Sequence, residues 1–167
     1  MPRRTISIIG GSDSDNSALE MAERIGREIA KRGIVLTCGG MGGIMEAACR
    51  GAKEEGGLTI GIIPSDFKEH ANPFVDVVIP TGLGYARNFL VAKAGDAVIA
   101  IDGSAGTLSE MAIAWFSDRP VIALVPSGGW AKRLAGEKID SRRKDVVIPA
   151  DTPEDAVQKA VEALGWE

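Results

Sequence analysis

The sequence predicts an α/β fold: one mostly parallel sheet with helices on both faces. Three observations predict it. Short β-branched runs alternate with stretches of helical periodicity along the whole chain. The strand runs are almost continuously apolar, as burial on both faces of a sheet requires. Glycine-rich turns stand between strand ends and helix starts, the connection that parallel βαβ units use.

The elements follow in order. Thr5–Ile9 reads as a strand. Residues 17–33 carry Ala18, Ala22, Ile25 and Ile29 on one stripe at helical spacing, with Ser17 and Glu20 as a capping box and Gly33 as the stop. A strand at 34–38, a helix at 43–55 and strands at 58–64 and 75–80 come next. A helix at 85–94, a strand at 96–101, a helix at 107–117 and a strand at 120–126 continue the alternation. After the polar stretch 130–145 there is a short strand at 146–149 and a last helix at 153–165. Thr152 caps that helix and Pro153 occupies its first position. The segment 128–144 reads either as a loop over a site or as a surface excursion.

All of this fits one domain over residues 1–167, without internal repeat or low-complexity segment. The composition is that of a soluble globular chain, 45% hydrophobic and 25% charged. The net charge of −4 and the lack of a basic run argue against nucleic acid as partner. No run reaches the ~20 apolar residues of a membrane span, and no signal-peptide core precedes the first glycines, so a cytoplasmic location is expected. Cys38 and Cys49 fit neither a zinc pattern nor a disulfide scaffold and read as small buried hydrophobes. No metal site is suggested.

Ligands of open parallel sheets bind beyond the carboxyl ends of the strands. Glycine-rich turns fall at several such ends: Gly10–Asn16, Cys38–Glu46 and Asp102–Glu110, with a fourth at Thr81–Asn88. Each leads to a helix N-terminus, where free N–H groups and the positive dipole end attract an anion. Neither G-x-G-x-x-G nor G-x-x-x-x-G-K-[ST] is present, which disfavours an ordinary NAD or ATP site. Thr107-Leu108-Ser109-Glu110 is a capping-box pattern as well. Local physics therefore leaves two roles open for Glu110, a helix cap or a carboxylate in a site.

Taken together, GGMGGIME, YARN and GSAGTLSE, in this order and spacing, resemble the Lonely Guy family, whose relatives are often labelled lysine decarboxylase-like. The resemblance runs from about residue 6 to residue 126. It implies a Rossmann-like homo-oligomer, usually a dimer. It implies either of two functions: cleavage of the N-glycosidic bond of a nucleoside 5′-monophosphate, or binding without hydrolysis of a phosphorylated pterin, as in molybdenum cofactor carriers. Under it, Glu110 and Arg87 match the family's catalytic pair, and Gly103, Ser104, Gly106 and Thr107 the phosphate-binding turn. Gly39, Gly40, Gly42 and Gly43 match the second glycine turn, and Gly11 with Ser12 the first loop. In a hydrolase Glu110 acts as a carboxylate, stabilising an oxocarbenium-like sugar and positioning water. No cofactor is required, and the expected partner is a small phosphorylated ligand, a nucleotide or molybdenum cofactor.

Two departures favour binding over hydrolysis. The family's Pro-Gly-Gly is Asp102-Gly103-Ser104, and Asn88 stands where hydrolases usually carry lysine. An Asp102 side chain aimed at the turn would repel a phosphate. GSDSD also occurs in aminoimidazole-ribotide carboxymutases, but those need a histidine-bearing loop that His70, the single histidine, does not supply. Trp115 and Phe116 are expected to extend an apolar helix face towards a second subunit.

Overall fold

A computed structural model describes residues 1–166, and Glu167 lies outside the described residues. Seven strands form one parallel sheet in the order β4-β3-β2-β1-β5-β6-β7. They are β1 (Thr5–Gly10), β2 (Val35–Cys38), β3 (Thr59–Ile63), β4 (Val77–Pro80), β5 (Ala97–Ile101), β6 (Val121–Leu124) and β7 (Ile148–Ala150). The helices are α1 (Asn16–Lys31), α2 (Ile44–Glu54), α3 (Asn88–Ala94), α4 (Ala105–Phe116), α5 (Gly129–Leu134) and α6 (Pro153–Ala163). The seven strands and five of the six helices are those the sequence predicts; the sheet is wholly rather than mostly parallel, and α5 falls in the segment read as a loop or excursion.

Side chains of each central strand alternate between two cores. Ile99 and Ile101 of β5 join Ile25, Ile29, Ala48 and Val157 from α1, α2 and α6. Val98 and Ala100 join Val91, Met111, Ala114 and Trp115 from α3 and α4. Helices α1 and α2 approach until their backbones touch. A Cβ on Gly26 would strike the carbonyl of Ala48, and a Cβ on Gly51 would strike the carbonyl of Glu23. Two glycines therefore set this crossing reciprocally, as close backbone approach requires.

Several local expectations change. Asp15, not Ser17, caps α1, its carboxylate accepting from the Ala18 N–H at 2.8 Å. The 85–94 segment is a 3-10 turn over Gly84–Arg87 followed by α3. The 128–144 segment is a surface excursion: α5 packs on the second core, and Asp140 accepts from the Trp115 indole N–H at 2.9 Å. Trp115 is 1% exposed and belongs to that core, so it presents nothing outward, whereas Phe116 is exposed. Cys38 and Cys49 are buried with sulfurs 3.5 Å apart. His70 is exposed and bonded to Ser65. No helix among the described residues is long and apolar enough to cross a membrane.

Candidate functional site

The strand order reverses between β1 and β5, and a cavity of about 530 Å³ opens there at the carboxyl ends of the strands. Its walls are the turn after β1 (Gly10, Gly11, Ser12), Gly39 after β2, Met45 of α2, the segment Tyr85–Asn88, and the start of α4 from Ser104 to Glu110. The size lies within the range of small-molecule sites.

The glycine turns divide into two groups. Gly11, Gly39 and Gly106 line the cavity. A Cβ on Gly39 would sit 2.8 Å from both the Arg87 guanidinium and the Met45 sulfur, so this glycine makes room for the arginine. By contrast, Gly106 meets nothing closer than the Asn88 amide nitrogen at 3.8 Å; here glycine leaves open space above the first turn of α4. Gly40, Gly42, Gly43 and Gly103 do not line the cavity. Gly43 (φ 66°) packs on the Gly11–Ser12 backbone and Gly103 (φ 101°) on the Thr107 side chain, so both shape turns rather than walls.

Helix α4 starts at Ala105, two residues before the expected cap. The Ser104 carbonyl accepts the Leu108 N–H at 3.0 Å, and no side chain caps the end. Thr107 is buried one turn in, and Glu110 sits in the second turn at 7% exposure. The capping role for Glu110 is thereby excluded. The N–H groups of the first turn face a cavity wall without a side-chain acceptor, an arrangement suited to an anion.

Arg87 is 9% exposed and fixed on three sides. Its Nε donates to the Ile62 carbonyl at 3.0 Å, one Nη to the Gly39 carbonyl at 3.4 Å, and the other to Asn88 Oδ1. Asn88 Nδ2 in turn donates to Ser109 Oγ at 3.3 Å, which donates to the Gly106 carbonyl at 2.6 Å. Burial lowers the Arg87 pKa, and the Glu110 charge opposes that shift. Burial also pushes the Glu110 carboxyl up to about 8, with the Arg87 charge working against it. Burial thus favours the neutral acid over the carboxylate that the hydrolase resemblance implies.

Asp102 turns away from the cavity. It adopts φ 54°, a left-handed conformation that Asp tolerates better than most residues. Its carboxylate accepts from Ser14 Oγ at 2.7 Å, and its backbone N–H donates to Ser127 Oγ at 2.7 Å. Asp102 does not line the cavity, whereas Asn88 does. Tyr85, Met45 and Ser109 also line the cavity, and the sequence alone singles out none of them. Ser109 stands three residues after Gly106 on one helix face, a spacing that was available as a signal. Tyr85 and Met45 carried no local mark.

Fold, switch-point cavity and helix-start wall together define a Rossmann-like α/β protein of the Lonely Guy superfamily. Residues 3–157 match the SLOG cluster4 family, and the chain belongs to that family. A cytokinin riboside 5′-monophosphate phosphoribohydrolase of Mycobacterium tuberculosis is 34% identical over 66% of this chain and 64% of its own length. The molybdenum cofactor binding protein of Rippkaea orientalis superposes with a TM-score of 0.88 at 34% identity, covering 98% of this chain and 99% of that one. The molybdenum cofactor carrier protein of Chlamydomonas reinhardtii gives 0.84 at 32% identity, covering 99% and 100%.

Proposed function

We propose that this protein binds a small phosphorylated, nucleotide-like ligand without hydrolysing it, as a carrier or sensor, with a molybdopterin-type cofactor as the leading cargo. One observation carries the reading: Glu110, the single carboxyl lining the cavity, is buried there at 7% exposure with no hydrogen-bond partner among the described residues, and burial favours its neutral form. A neutral acid cannot stabilise an oxocarbenium ion as a carboxylate does. The first turn of α4 and the Gly11–Ser12 loop would seat the phosphate, and Arg87 and Asn88 would supply further donors. No histidine or thiol lines the cavity, so recognition of such a cargo would run through its phosphate and pterin rather than through the metal. The full-length match to proteins named as cofactor carriers supports the same reading.

The phosphoribohydrolase reading is kept because Arg87 and Glu110, far apart in sequence, do share one cavity, and because relatives bear that name. Incubating the protein with a panel of nucleoside monophosphates and separating free base by chromatography decides between them. The carrier reading expects binding by calorimetry and no base. Base released by the wild type and not by Glu110→Gln establishes the hydrolase. In that case the rate should rise with pH through about 8, because ionised Glu110 is the working form.

A dimer is also proposed. Phe89, Leu90 and Phe116 are exposed beside one another on α3 and α4, next to Tyr85 at the cavity mouth. Light scattering giving a monomer at every concentration refutes it.

A further inference from the structure

Glu110 is nine-tenths buried, lines the cavity, and makes no hydrogen bond among the described residues. Ionising a carboxyl so far withdrawn from water and without a hydrogen-bond donor is costly. Its charged neighbour, Arg87, already donates to two carbonyls and the Asn88 amide oxygen, and acts on Glu110 through charge alone. The other titratable groups around it are Tyr85, from the same turn as Arg87, and Cys38 of β2. Met45 of α2 and Ile8 and Ile9 of β1 complete the surroundings with apolar surface. Nothing in this set accepts a proton from Glu110 or ties down its carboxylate.

We propose that Glu110 meets its ligand as a neutral carboxylic acid, donating its O–H to an oxygen or nitrogen acceptor of a phosphomonoester whose phosphate sits on the first turn of α4. This rests on the anion-binding reading above and adds the part that Glu110 plays in it. Gly106 and Glu110 stand four positions apart on the helix, a rise of about 6 Å. The acceptor therefore lies roughly one sugar ring from the phosphate. With Glu110 neutral, Arg87 is the only charge lining the cavity, and the site attracts an anion. Ionising Glu110 cancels that charge and removes the donor. Affinity for a phosphomonoester falls as pH rises through the Glu110 titration, the opposite of what a catalytic carboxylate gives.

Two measurements test this on the full chain. The first is calorimetric titration with AMP and with inorganic phosphate between pH 7 and 9.5, a range where AMP stays a dianion because its second pKa is about 6. Above the Glu110 midpoint the wild type should bind AMP about tenfold more weakly per pH unit. Glu110→Gln keeps the shape and an N–H donor but cannot ionise, so it should match the wild type at pH 7 and hold its affinity at pH 9.5. Loss of AMP binding by a folded Glu110→Gln at pH 7, or an equal decline in both proteins, overturns the proposal. The second is ¹³C NMR of the glutamate carboxyl carbons without ligand, Glu110→Gln identifying the signal. A midpoint well above the ordinary carboxylate range is expected; one inside that range overturns the proposal whatever AMP does. A high midpoint with no binding of AMP or phosphate overturns the anion-binding reading itself, and the donor role falls with it.

Discussion

The two faces of the sheet are built to different ends. On one, α1 and α2 meet backbone to backbone through Gly26 and Gly51, and α6 closes the layer over an apolar core. On the other, α3 and α4 leave a cavity between them and the strand ends, and Ser7, Arg87, Asn88, Thr107 and Glu110 are buried there. The first face maximises packing, and the second tolerates polar groups that a stable core would exclude. The chain thus keeps one side of the sheet apolar and closely packed and buries charged side chains on the other, where the cavity lies.

Substitutions can break that contrast. The largest effect is expected at the helix crossing: Gly51→Ala drives a methyl into the Glu23 carbonyl and should cost about 3 kcal/mol or more in urea unfolding, or prevent folding. On the cavity face the sign reverses. The Glu110 pKa is raised from 4.5 to about 8 in the folded protein, so the stability linked to its neutral form is complete below about 4.5 and lost as pH rises through about 8. Glu110→Gln should therefore be clearly more stable than the wild type at pH 9 and differ little from it at pH 4. Thermal unfolding of both proteins across pH reads this difference directly. A Glu110→Gln variant less stable than the wild type at pH 9 would erase the contrast between the faces.

Smaller effects sharpen it. Asp15→Ala and Thr152→Ala remove the side-chain caps of α1 and α6 and should each cost about 1 kcal/mol. Arg24 pairs with Glu154 across α1 and α6, but both side chains are about half exposed. Arg24→Ala should change stability by at most about 1 kcal/mol. The packed face thus owes its strength to glycine contacts and burial rather than to its ion pairs.

Much of this was legible in the sequence, and the failures have physical causes. The strand–helix alternation, the apolar strands and the glycine turns at strand ends foretold the sheet and its binding rim. The resemblance brought Arg87 and Glu110 to one place, and the cavity holds both. The TLSE segment misled because a capping box is a local pattern, while the helix start depends on contacts beyond it. Thr107 is held against Gly103 inside the first turn, and Ala105 and Gly106 carry no mark of a helix start. Asp102 looked like an intruder because its left-handed turn towards Ser14 belongs to the backbone and to a partner 88 residues away. The upward shift of the Glu110 carboxyl follows from burial, which periodicity shows only as proximity to an apolar helix face.

The order of the strands has a consequence for how the chain acquires its shape during synthesis. Strands β1 to β4 come from the first 80 residues and occupy one half of the sheet, while β5 to β7 add to the opposite edge of β1. Ile6 pairs with Ala97, so that edge of β1 waits for a segment some ninety residues downstream. The amino-terminal half is complete in strands before β5 leaves the ribosome, yet it exposes one open apolar edge until then. The cavity straddles this seam, with Gly10–Ser12 and Gly39 on the early side and Ser104–Glu110 on the late side. The cavity therefore has both its walls only once α4 has met the early half, and its formation would report that the two halves have joined.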